Sequence, residues 1–513
     1  MTKSIQRHYW IIGLSFLLAL LVFLGIQFFQ PRSTLTNATG IPPLPQHPYI
    51  KAYFNHNQSN SYTDPYRKIT RPGDDIEQLI IDNINAAKST IDMAVQELRL
   101  PKIVEALSDR QKAGVKVRLV IENTYNRGYS EFTEAEREKF NEREKGKYAD
   151  FLAFADLNKD GKLSQDEINQ RDTIPMLKNA KIRYIDDTAD GSTGSGLMHH
   201  KFFVVDQKAV FTTSANFTMS DVHGDFIAPL TTGNKNNALR IEDPEVARLF
   251  TEEFELMWND KLFGSKKPHR PVRSLMVGDT QVEVKFSPDK SDIEWEETSN
   301  GLIGKSLSKS QKSANMALFV FAEPKLGNLL EEVHDHNVEV KVLIDPGFAY
   351  RDYSAALDMW GYVSTQDCRD GNARPWAKPI DTVGVPNLVK GDLLHHKFGV
   401  VDSNVVITGS HNWSNTANRT NDETLMVIHT PIVGAHYQRE FDRLFDDARL
   451  GPTEKVKLKA KTTCPTKTAK APKKRRVRKK RKSETTTELT PTITNPPAIS
   501  TEEEPNTTQP IEE

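Results

Sequence analysis

The chain has 513 residues, of which 37% are hydrophobic and 27% are charged, so it can bury a large core and we expect two domains or two fused halves. The formal net charge of −1 does not indicate a partner. The two cysteines, Cys368 and Cys464, are too few for a disulfide framework or a cysteine-based metal site, and they do not identify the compartment.

An uncharged apolar run occupies residues 10–29. In a helix these residues cross roughly 30 Å of hydrocarbon, so the run predicts a membrane-spanning helix within an N-terminal anchor, residues 1–35. The run is long for a signal peptide and no A-x-A site follows, which favours a retained anchor over a cleaved signal. Lys3 and Arg7 precede it and Arg32 follows, so we expect a cytoplasmic N-terminus and a periplasmic or extracellular catalytic region.

Strand and helix patterns alternate twice along the rest of the chain. In the first half, the strand patterns TIDMAV and VKVRLVIE enclose an amphipathic helix, and in the second half NMALFVFA and VEVKVLID enclose another. This internal duplication predicts a first half at residues 36–262 and a second half at residues 278–450. Each half is expected to hold a mixed or parallel sheet covered by helices, which makes the chain an α/β protein.

The first half carries an insertion, because the interval from Glu122 to His199 is 27 residues longer than the interval from Asp345 to His395. Within residues 145–172, a D-x-N-x-D-G-x5-E sequence between helical patterns resembles the calcium loop of an EF-hand. We expect a structural or regulatory Ca2+ site outside the catalytic sheet, and the alternative is an acidic surface turn. The resemblance implies oxygen ligands from Asp156, Asn158, Asp160, Lys162 (its carbonyl), Ser164 (through water) and Glu167.

One short sequence occurs twice and organises the chain. Each copy has two histidines and a lysine, an apolar run, an aspartate and then a serine and an asparagine: His199-His200-Lys201, FFVV, Asp206 and Thr213-Ser214-Ala215-Asn216, then His395-His396-Lys397, FGVV, Asp402 and Gly409-Ser410-His411-Asn412. The apolar runs predict buried strands. Because side chains alternate along a strand, the first histidine and the lysine face the same side. His200 and His396 face the other side, where we expect a structural role.

The double pattern H-x-K-x4-D-x6-G-S-x-N resembles the signature of the phospholipase D superfamily, over most of residues 49–450. The resemblance implies two fused α-β-α sandwich halves that form one pseudo-twofold unit with a single site at their junction. The second copy continues to Glu423, which matches the downstream N-x-E of the family. The first copy departs from the family at Thr213, where glycine is usual, and at Asn236, which aligns with Glu423.

The resemblance also implies the reaction, a phosphodiester cleavage through a phosphohistidine with no metal in the chemistry. One neutral histidine attacks phosphorus, and the other, protonated, donates to the departing alcohol. Lysines and asparagines stabilise the phosphoryl oxygens, serines add hydrogen bonds, and the aspartates are expected to hold turns. The candidate residues are His199, Lys201, Asp206, Ser214, Asn216, His395, Lys397, Asp402, Ser410, Asn412 and Glu423.

Glu423 is expected to orient one histidine and to favour its protonated form. If Glu423 serves its own half, His395 is the acid and His199, facing Asn236, is the nucleophile. Asp221 or Asp225 in the first half could replace the missing carboxylate, so this assignment stays conditional.

The motifs are common to phospholipid hydrolases, transferases and nucleases of the superfamily. We expect phospholipid as the substrate, with a Nuc-like endonuclease acting on DNA or RNA as the alternative. A second alternative is an inactive, calcium-stabilised binding protein. Since both motifs lie on one chain, a monomer is expected to be active.

The C-terminal tail, residues 451–513, is predicted to be disordered, because it changes from a basic to an S/T/P/E-rich composition. Fifteen lysines and arginines lie within residues 455–482. This run predicts attraction to a polyanion, which could be nucleic acid, anionic lipid or an anionic envelope polymer, and the alternative is a solubilising tail.

Overall fold

A computed structural model describes residues 40–194, 196–363, 368, 374–459 and 462–464. Within these ranges the chain forms two large sheets with helices on their faces. The apolar run at residues 10–29 and most of the basic tail lie outside the described residues.

The strands follow the predicted alternation, and TIDMAV forms β4. They are β1 (Ile50–Phe54), β2 (Ser61–Thr63), β3 (Thr70–Pro72), β4 (Thr90–Val95), β5 (Lys116–Ile121), β6 (Arg183–Asp186), β7 (Lys201–Val205), β8 (Ala209–Thr213), β9 (Asn237–Glu242), β10 (Arg273–Val277), β11 (Thr280–Ser287), β12 (Ser313–Leu318), β13 (Phe321–Ala322), β14 (Glu339–Ile344), β15 (Val383–Val385), β16 (Lys397–Val401), β17 (Val405–Gly409), β18 (Trp413–Ser414), β19 (Glu423–His429) and β20 (Arg449–Leu450).

Helices connect these strands and also form the inserted segment. They are α1 (Ile76–Ala86), α2 (Pro101–Lys112), α3 (Glu134–Arg137), α4 (Glu142–Ala155), α5 (Gln165–Arg171), α6 (Thr173–Asn179), α7 (Met219–Val222), α8 (Pro244–Trp258), α9 (Ser299–Leu307), α10 (Pro324–Asp335), α11 (Pro346–Ala349), α12 (Ala355–Met359), α13 (Asn415–Arg419), α14 (Pro431–Phe445) and α15 (Glu454–Lys459).

The two large sheets have the same strand order. The first runs β1-β9-β8-β7-β4-β5-β6, and the second contains β11-β19-β17-β16-β12-β14-β15 with β10 and β20 at its edges. In each sheet three neighbouring strands are parallel, β4-β5-β6 and β12-β14-β15, and the remaining pairs are antiparallel. The prediction of a mixed α/β fold is confirmed. The second sheet starts at Arg273, five residues before the predicted start of the half, because β10 pairs with β11.

The core of the molecule is shared by the two halves. One buried cluster combines β7 and α8 of the first half with β16 and α14 of the second, through residues such as Phe202, Phe250, Phe398 and Tyr437. Each sheet has one further buried cluster, which lies under its outer helices. The long helices α8 and α14 therefore pack between the sheets, since each carries one apolar face and one polar face.

Two short backbone bridges join the halves next to the duplicated motif. Met198 pairs with Asp422, and Lys235 pairs with Leu394. His199 N donates to Asp422 O at 3.0 Å, and His395 N donates to Lys235 O at 3.1 Å. Each motif histidine is therefore fixed by the backbone of the opposite half.

The prediction of a single N-terminal membrane anchor with an extracytoplasmic catalytic region is corrected. In the described part of the chain, no helix is both long and apolar enough to cross a membrane. Even α8 and α14, with 15 residues each, extend only about 22 Å.

The two cysteines are joined in one disulfide, with their Cα atoms 5.5 Å apart. The sequence indicated no disulfide framework, and this single bond was not anticipated. It connects Cys368, before the second motif, to Cys464, at the start of the tail.

Candidate active site

The duplicated motifs meet where the two sheets approach each other. His199 and His395 lie two residues before β7 and β16, and both are buried, with 6% and 3% of their surface exposed. The chain reaches His199 through Gly196, whose φ is +80°. A Cβ at this position would lie 2.4 Å from Thr420 O, so only glycine permits the close approach of the two halves here.

Glu423 contacts the histidine of the other half. Its Oε2 lies 2.7 Å from His199 Nδ1 and also accepts a hydrogen bond from Ser410 Oγ at 2.6 Å. The premise that Glu423 serves its own half is therefore wrong. The physical reason is the Met198–Asp422 bridge, which carries the start of β19 across to His199.

Asn236 contacts His395 in the same way. Its Oδ1 lies 3.0 Å from His395 Nδ1 and accepts from Ser214 Oγ at 2.7 Å, while its Nδ2 donates to Asp221. This network identifies the oxygen as the atom facing the ring, so His395 carries its proton on Nδ1 and keeps a lone pair on Nε2. The carboxylate of Asp221 is also near this ring, with its Oδ1 3.6 Å from His395 Nδ1.

The electrostatic surroundings differ between the pair of His395 with Asn236 and the pair of His199 with Glu423. Burial lowers the pKa of His395 well below its ordinary value, and the nearby charges of Lys397 and Lys201 lower it further. Burial raises the pKa of Glu423 to about 7, although the charges of His411 and Lys201 oppose the shift. His395 is consequently neutral at physiological pH, whereas His199 faces a buried carboxyl group whose affinity for a proton is raised.

The two lysines are buried and fixed by different partners. Lys201 Nζ donates to Gln96 Oε1 and to His199 O, both at 2.9 Å. Lys397 Nζ donates to His395 O at 2.8 Å and lies 4.7 Å from the centre of the Phe319 ring. Gln96 and Phe319 hold equivalent positions, because each donates its backbone N–H to the second histidine of the adjacent motif. The two lysines therefore present ammonium groups in unlike surroundings.

The predicted asparagines differ from the predicted serines in their bonding. Asn216 Oδ1 and Asn412 Oδ1 are buried without a hydrogen-bond partner among the described residues. Ser214 and Ser410 instead use their hydroxyls on the groups that orient the histidines, and their oxygens accept from Asn237 N and Thr424 N. The serines are thus positioning residues rather than groups that point into the site.

Asp206 and Asp402 lie at the far ends of β7 and β16 and hold turns, as expected. The carboxylate of Asp206 accepts from the backbone of residues 88–90 at 2.7–2.9 Å. Asp402 accepts from residues 311–313 over the same range of distances. Each aspartate fixes the start of a central strand, β4 or β12, and stands away from the histidines.

The second histidines of the motifs face the shared core, as alternation along the strand predicts. His200 Nε2 lies 3.2 Å from Glu253 Oε1, and His396 Nε2 lies 3.0 Å from Glu440 Oε1. Among the described residues, His200, Glu253 and Asp422 are close enough to share a metal ion. The ammonium of Lys267 already lies 2.6 Å from Glu253 and 2.8 Å from Asp422, so this cluster is a buried ion-pair network.

Sequence reasoning missed several residues of the site. Gln96 and Phe319 follow unremarkable strands, and only their equivalent places after β4 and β12 could have indicated them. His411 lies within the second motif, but the motif pattern assigns no role to this position. It is 1% exposed, its ring nitrogens have no hydrogen-bond partner among the described residues, and burial lowers its pKa to about 4.

The inserted segment forms a helix, a loop and a second helix, α4 and α5. The loop turns at Gly161, whose φ is +81°. Asp156 Oδ2 accepts from Gly161 N at 2.9 Å, and Glu167 Oε1 accepts from Leu157 N at 2.8 Å. Hydrogen bonds from Ser164 help to hold the pKa of Glu167 at about 2. The six predicted positions offer only oxygen atoms, which is the donor set that Ca2+ prefers.

The family model for the cardiolipin synthase, PLD-like domain matches residues 80–258 and 303–445. A mitochondrial cardiolipin hydrolase from Xenopus laevis is 29% identical over 191 residues, which cover 36% of this chain and 79% of the relative. The protein of the same name from Xenopus tropicalis is 31% identical over 145 residues, 28% of this chain and 58% of the relative.

The crystal structure of phosphatidylserine synthase from Haemophilus influenzae Rd KW20 superposes with a TM-score of 0.50 and 12% identity, covering 81% of this chain and 90% of the synthase. This similarity concerns the fold. The family match extends over more than half of the chain and confirms the prediction of a phospholipase D-type enzyme. The chain belongs to the phospholipase D-like family described as the cardiolipin synthase, PLD-like domain.

Proposed function

We propose that the chain hydrolyses phospholipid phosphodiester bonds, with His395 as the nucleophile and His199 as the general acid. The observation that carries the assignment is the unequal pairing of the two histidines. His199 faces the carboxylate of Glu423 at 2.7 Å, and His395 faces the amide oxygen of Asn236 at 3.0 Å. A carboxylate stabilises a protonated imidazole and a neutral amide does not. The conditional assignment from the sequence is therefore reversed.

In the first step, the lone pair on His395 Nε2 attacks phosphorus. The bond between phosphorus and the alcohol oxygen breaks, and that oxygen takes the proton from His199 Nε2. In the second step, His199 Nε2 removes a proton from water, and the hydroxide attacks phosphorus. The P–N bond breaks and its electron pair returns to His395, so both histidines regain their starting states.

The developing negative charge on the phosphoryl oxygens is stabilised by Lys201 and Lys397. Both ammonium groups are held by backbone oxygens beside the histidines, so they need no reorganisation during the reaction. The amide groups of Asn216 and Asn412 complete this set, since their side-chain oxygens have no protein partner in the described part of the chain. Each amide is free to turn its N–H2 group toward phosphate.

Phospholipid is proposed as the substrate because the relatives are named cardiolipin hydrolases and the family model is named for cardiolipin synthase. The test offers the full chain cardiolipin, phosphatidylcholine and single-stranded DNA in parallel. We expect release of phosphatidic acid from either lipid, and no release after His395→Ala. Cleavage of DNA with no turnover of either lipid would favour the nuclease alternative.

We further propose that the halves, residues 36–262 and 278–450, are related by a pseudo-twofold axis through one site. The support is the common strand order and the two reciprocal bridges that precede the histidines. Because each half supplies one histidine and the orienting group of the other, a monomer is sufficient for activity. A sedimentation experiment on the active protein tests this, and activity confined to an oligomer would contradict it.

We propose that the loop 156–167 binds Ca2+ and braces the loop that carries Asn236. Asp150, in α4, accepts hydrogen bonds on its Oδ1 from Phe226 N at 2.6 Å and Ile227 N at 2.9 Å. Phe154, in the same helix, packs edge-on against Phe226 at 5.1 Å. Calcium should therefore raise the melting temperature and slow amide exchange at residues 226–232. Calorimetry that detects no binding, together with unchanged melting, would contradict the proposal.

A further inference from the structure

Two tight turns, one from each half, lie side by side at the surface. In the first, Thr231 N donates to Ala228 O at 2.9 Å, and in the second, Asp392 N donates to Val389 O at 2.9 Å. Thr232 Oγ1 donates to Asp392 Oδ2 at 2.7 Å, which joins the turns. A Cβ at Gly391 would lie only 2.7 Å from the side chain of Thr231. The turns therefore form one rigid projection.

Large apolar side chains are exposed on this projection. Leu230 is 81% exposed, Ile227 is 53% exposed, and Val389 is 39% exposed. Single exposed leucines are common on protein surfaces, but an apolar cluster built from two separate loops marks a surface that binds something apolar. Lys390, next to Val389, is also exposed and adds a cation beside the cluster.

The projection is continuous with the candidate active site. The first turn belongs to the segment that begins after Asn216 and ends at Asn236, the residue that orients His395. The second turn ends at Asp392, three residues before His395 itself. Asp392 also accepts from Lys235 Nζ at 3.0 Å, and Lys235 O accepts from His395 N. A binding partner that contacts Leu230 and Val389 would thus lie at the rim of the active site.

We propose that Ile227, Leu230 and Val389 insert into the acyl region of a phospholipid surface and dock the active site on its substrate. Apolar side chains at the tips of loops, with a cation beside them, suit the boundary between headgroups and acyl chains. The rim position favours a lipid surface over a second copy of the chain, because a copy docked there would cover the substrate path. This inference rests on phospholipid as the substrate.

The location of the inserted residues is tested by labelling. A full-length Leu230→Cys variant is coupled to the environment-sensitive fluorophore NBD, and a Met276→Cys variant serves as the matched control, because Met276 is 60% exposed on β10. We expect the emission at position 230 to shift to the blue with vesicles of phosphatidylcholine and phosphatidylglycerol, and the emission at 276 to stay unchanged. No shift at 230, or equal shifts at both positions, would overturn the proposal.

A second-copy interface is an outcome of the same experiment. A blue shift at position 230 that grows with protein concentration and needs no vesicles would identify self-association and refute lipid docking. The label thus distinguishes the two occupants without any measurement of turnover.

The functional consequence is tested with Ile227→Ser combined with Leu230→Ser. Two lost apolar side chains should weaken partitioning to vesicles, so we expect vesicle hydrolysis to fall about tenfold or more while cleavage of a soluble nitrophenyl phosphodiester is unchanged. Unchanged vesicle hydrolysis in this variant would refute docking. A blue shift at position 230 with no hydrolysis of any phospholipid would instead refute the proposed substrate and leave the docking surface standing.

Discussion

Replacing Glu423 with glutamine removes one charge and keeps the shape of the side chain. Glu423 is fully buried, and its Oε2 lies 2.7 Å from His199 Nδ1 and 2.6 Å from Ser410 Oγ. A glutamine oxygen in the same place still accepts both hydrogen bonds, so the fold should persist. What is lost is the negative charge that stabilises protonated His199, the proposed acid.

The size of the effect follows from the kind of contact. A hydrogen bond to a charged group contributes about 1.5 to 3 kcal/mol. If this contribution is lost when the leaving oxygen takes its proton, kcat/KM on phospholipid should fall about ten- to a hundredfold. A nitrophenyl ester has an acidic leaving group that needs little protonation, so its cleavage by Glu423→Gln should change by less than about threefold.

The assay compares kcat/KM for the two substrates between pH 5 and 9 in wild type and Glu423→Gln. The wild-type rate on phospholipid should decline at alkaline pH, because the reaction needs a general acid that still holds its proton. Ser410→Ala is the matched control, since it removes a bond to the same oxygen without removing the charge. Equal losses on both substrates in Glu423→Gln would refute the assignment of His199 as the acid.

Three further predictions concern His395, the turn aspartates and metal ions. Asn236→Asp places a carboxylate against His395, which raises the pKa of His395 against the effect of burial. The acidic limb of the pH profile should therefore move to higher pH, and an unchanged limb would mean that His395 does not attack. Asp402→Ala removes the acceptor for three backbone N–H groups, so the free energy of unfolding, measured by urea denaturation, should fall by about 2 kcal/mol. The kcat on the nitrophenyl ester should stay unchanged, and a loss of kcat in fully folded protein would contradict the turn role. Chelation with EGTA should lower the melting temperature but spare turnover at a temperature where the protein stays folded, and full loss of turnover there would point to a metal in the reaction.

The local features of the site could be predicted from the sequence. Alternation along FFVV and FGVV placed His200 and His396 on the core side, where they bond Glu253 and Glu440. The turn role of Asp206 and Asp402 also followed from their position after a strand. These features depend on residues close together in the chain, where strand periodicity and turn chemistry act directly.

The partners of the histidines could not be predicted in the same way. Aligning the two copies identified Asn236 and Glu423 as the unequal residues, but the alignment holds no information on which half each one serves. That choice depends on the bridges of Met198 with Asp422 and of Lys235 with Leu394, which join residues far apart in the sequence. The contact of Lys201 with Gln96 likewise requires the register of β4 against β7.

The central claim, that His395 forms the covalent bond to phosphorus, is tested most directly by trapping the intermediate. The full chain is mixed with a nitrophenyl phosphodiester, quenched within the first turnover under conditions that preserve phosphohistidine, digested and examined by mass spectrometry. We predict phosphorylation on the peptide that contains His395, and greater accumulation in His199→Ala, because hydrolysis of the intermediate needs His199 to activate water. Phosphorylation at His199, with none at His395, would contradict the account.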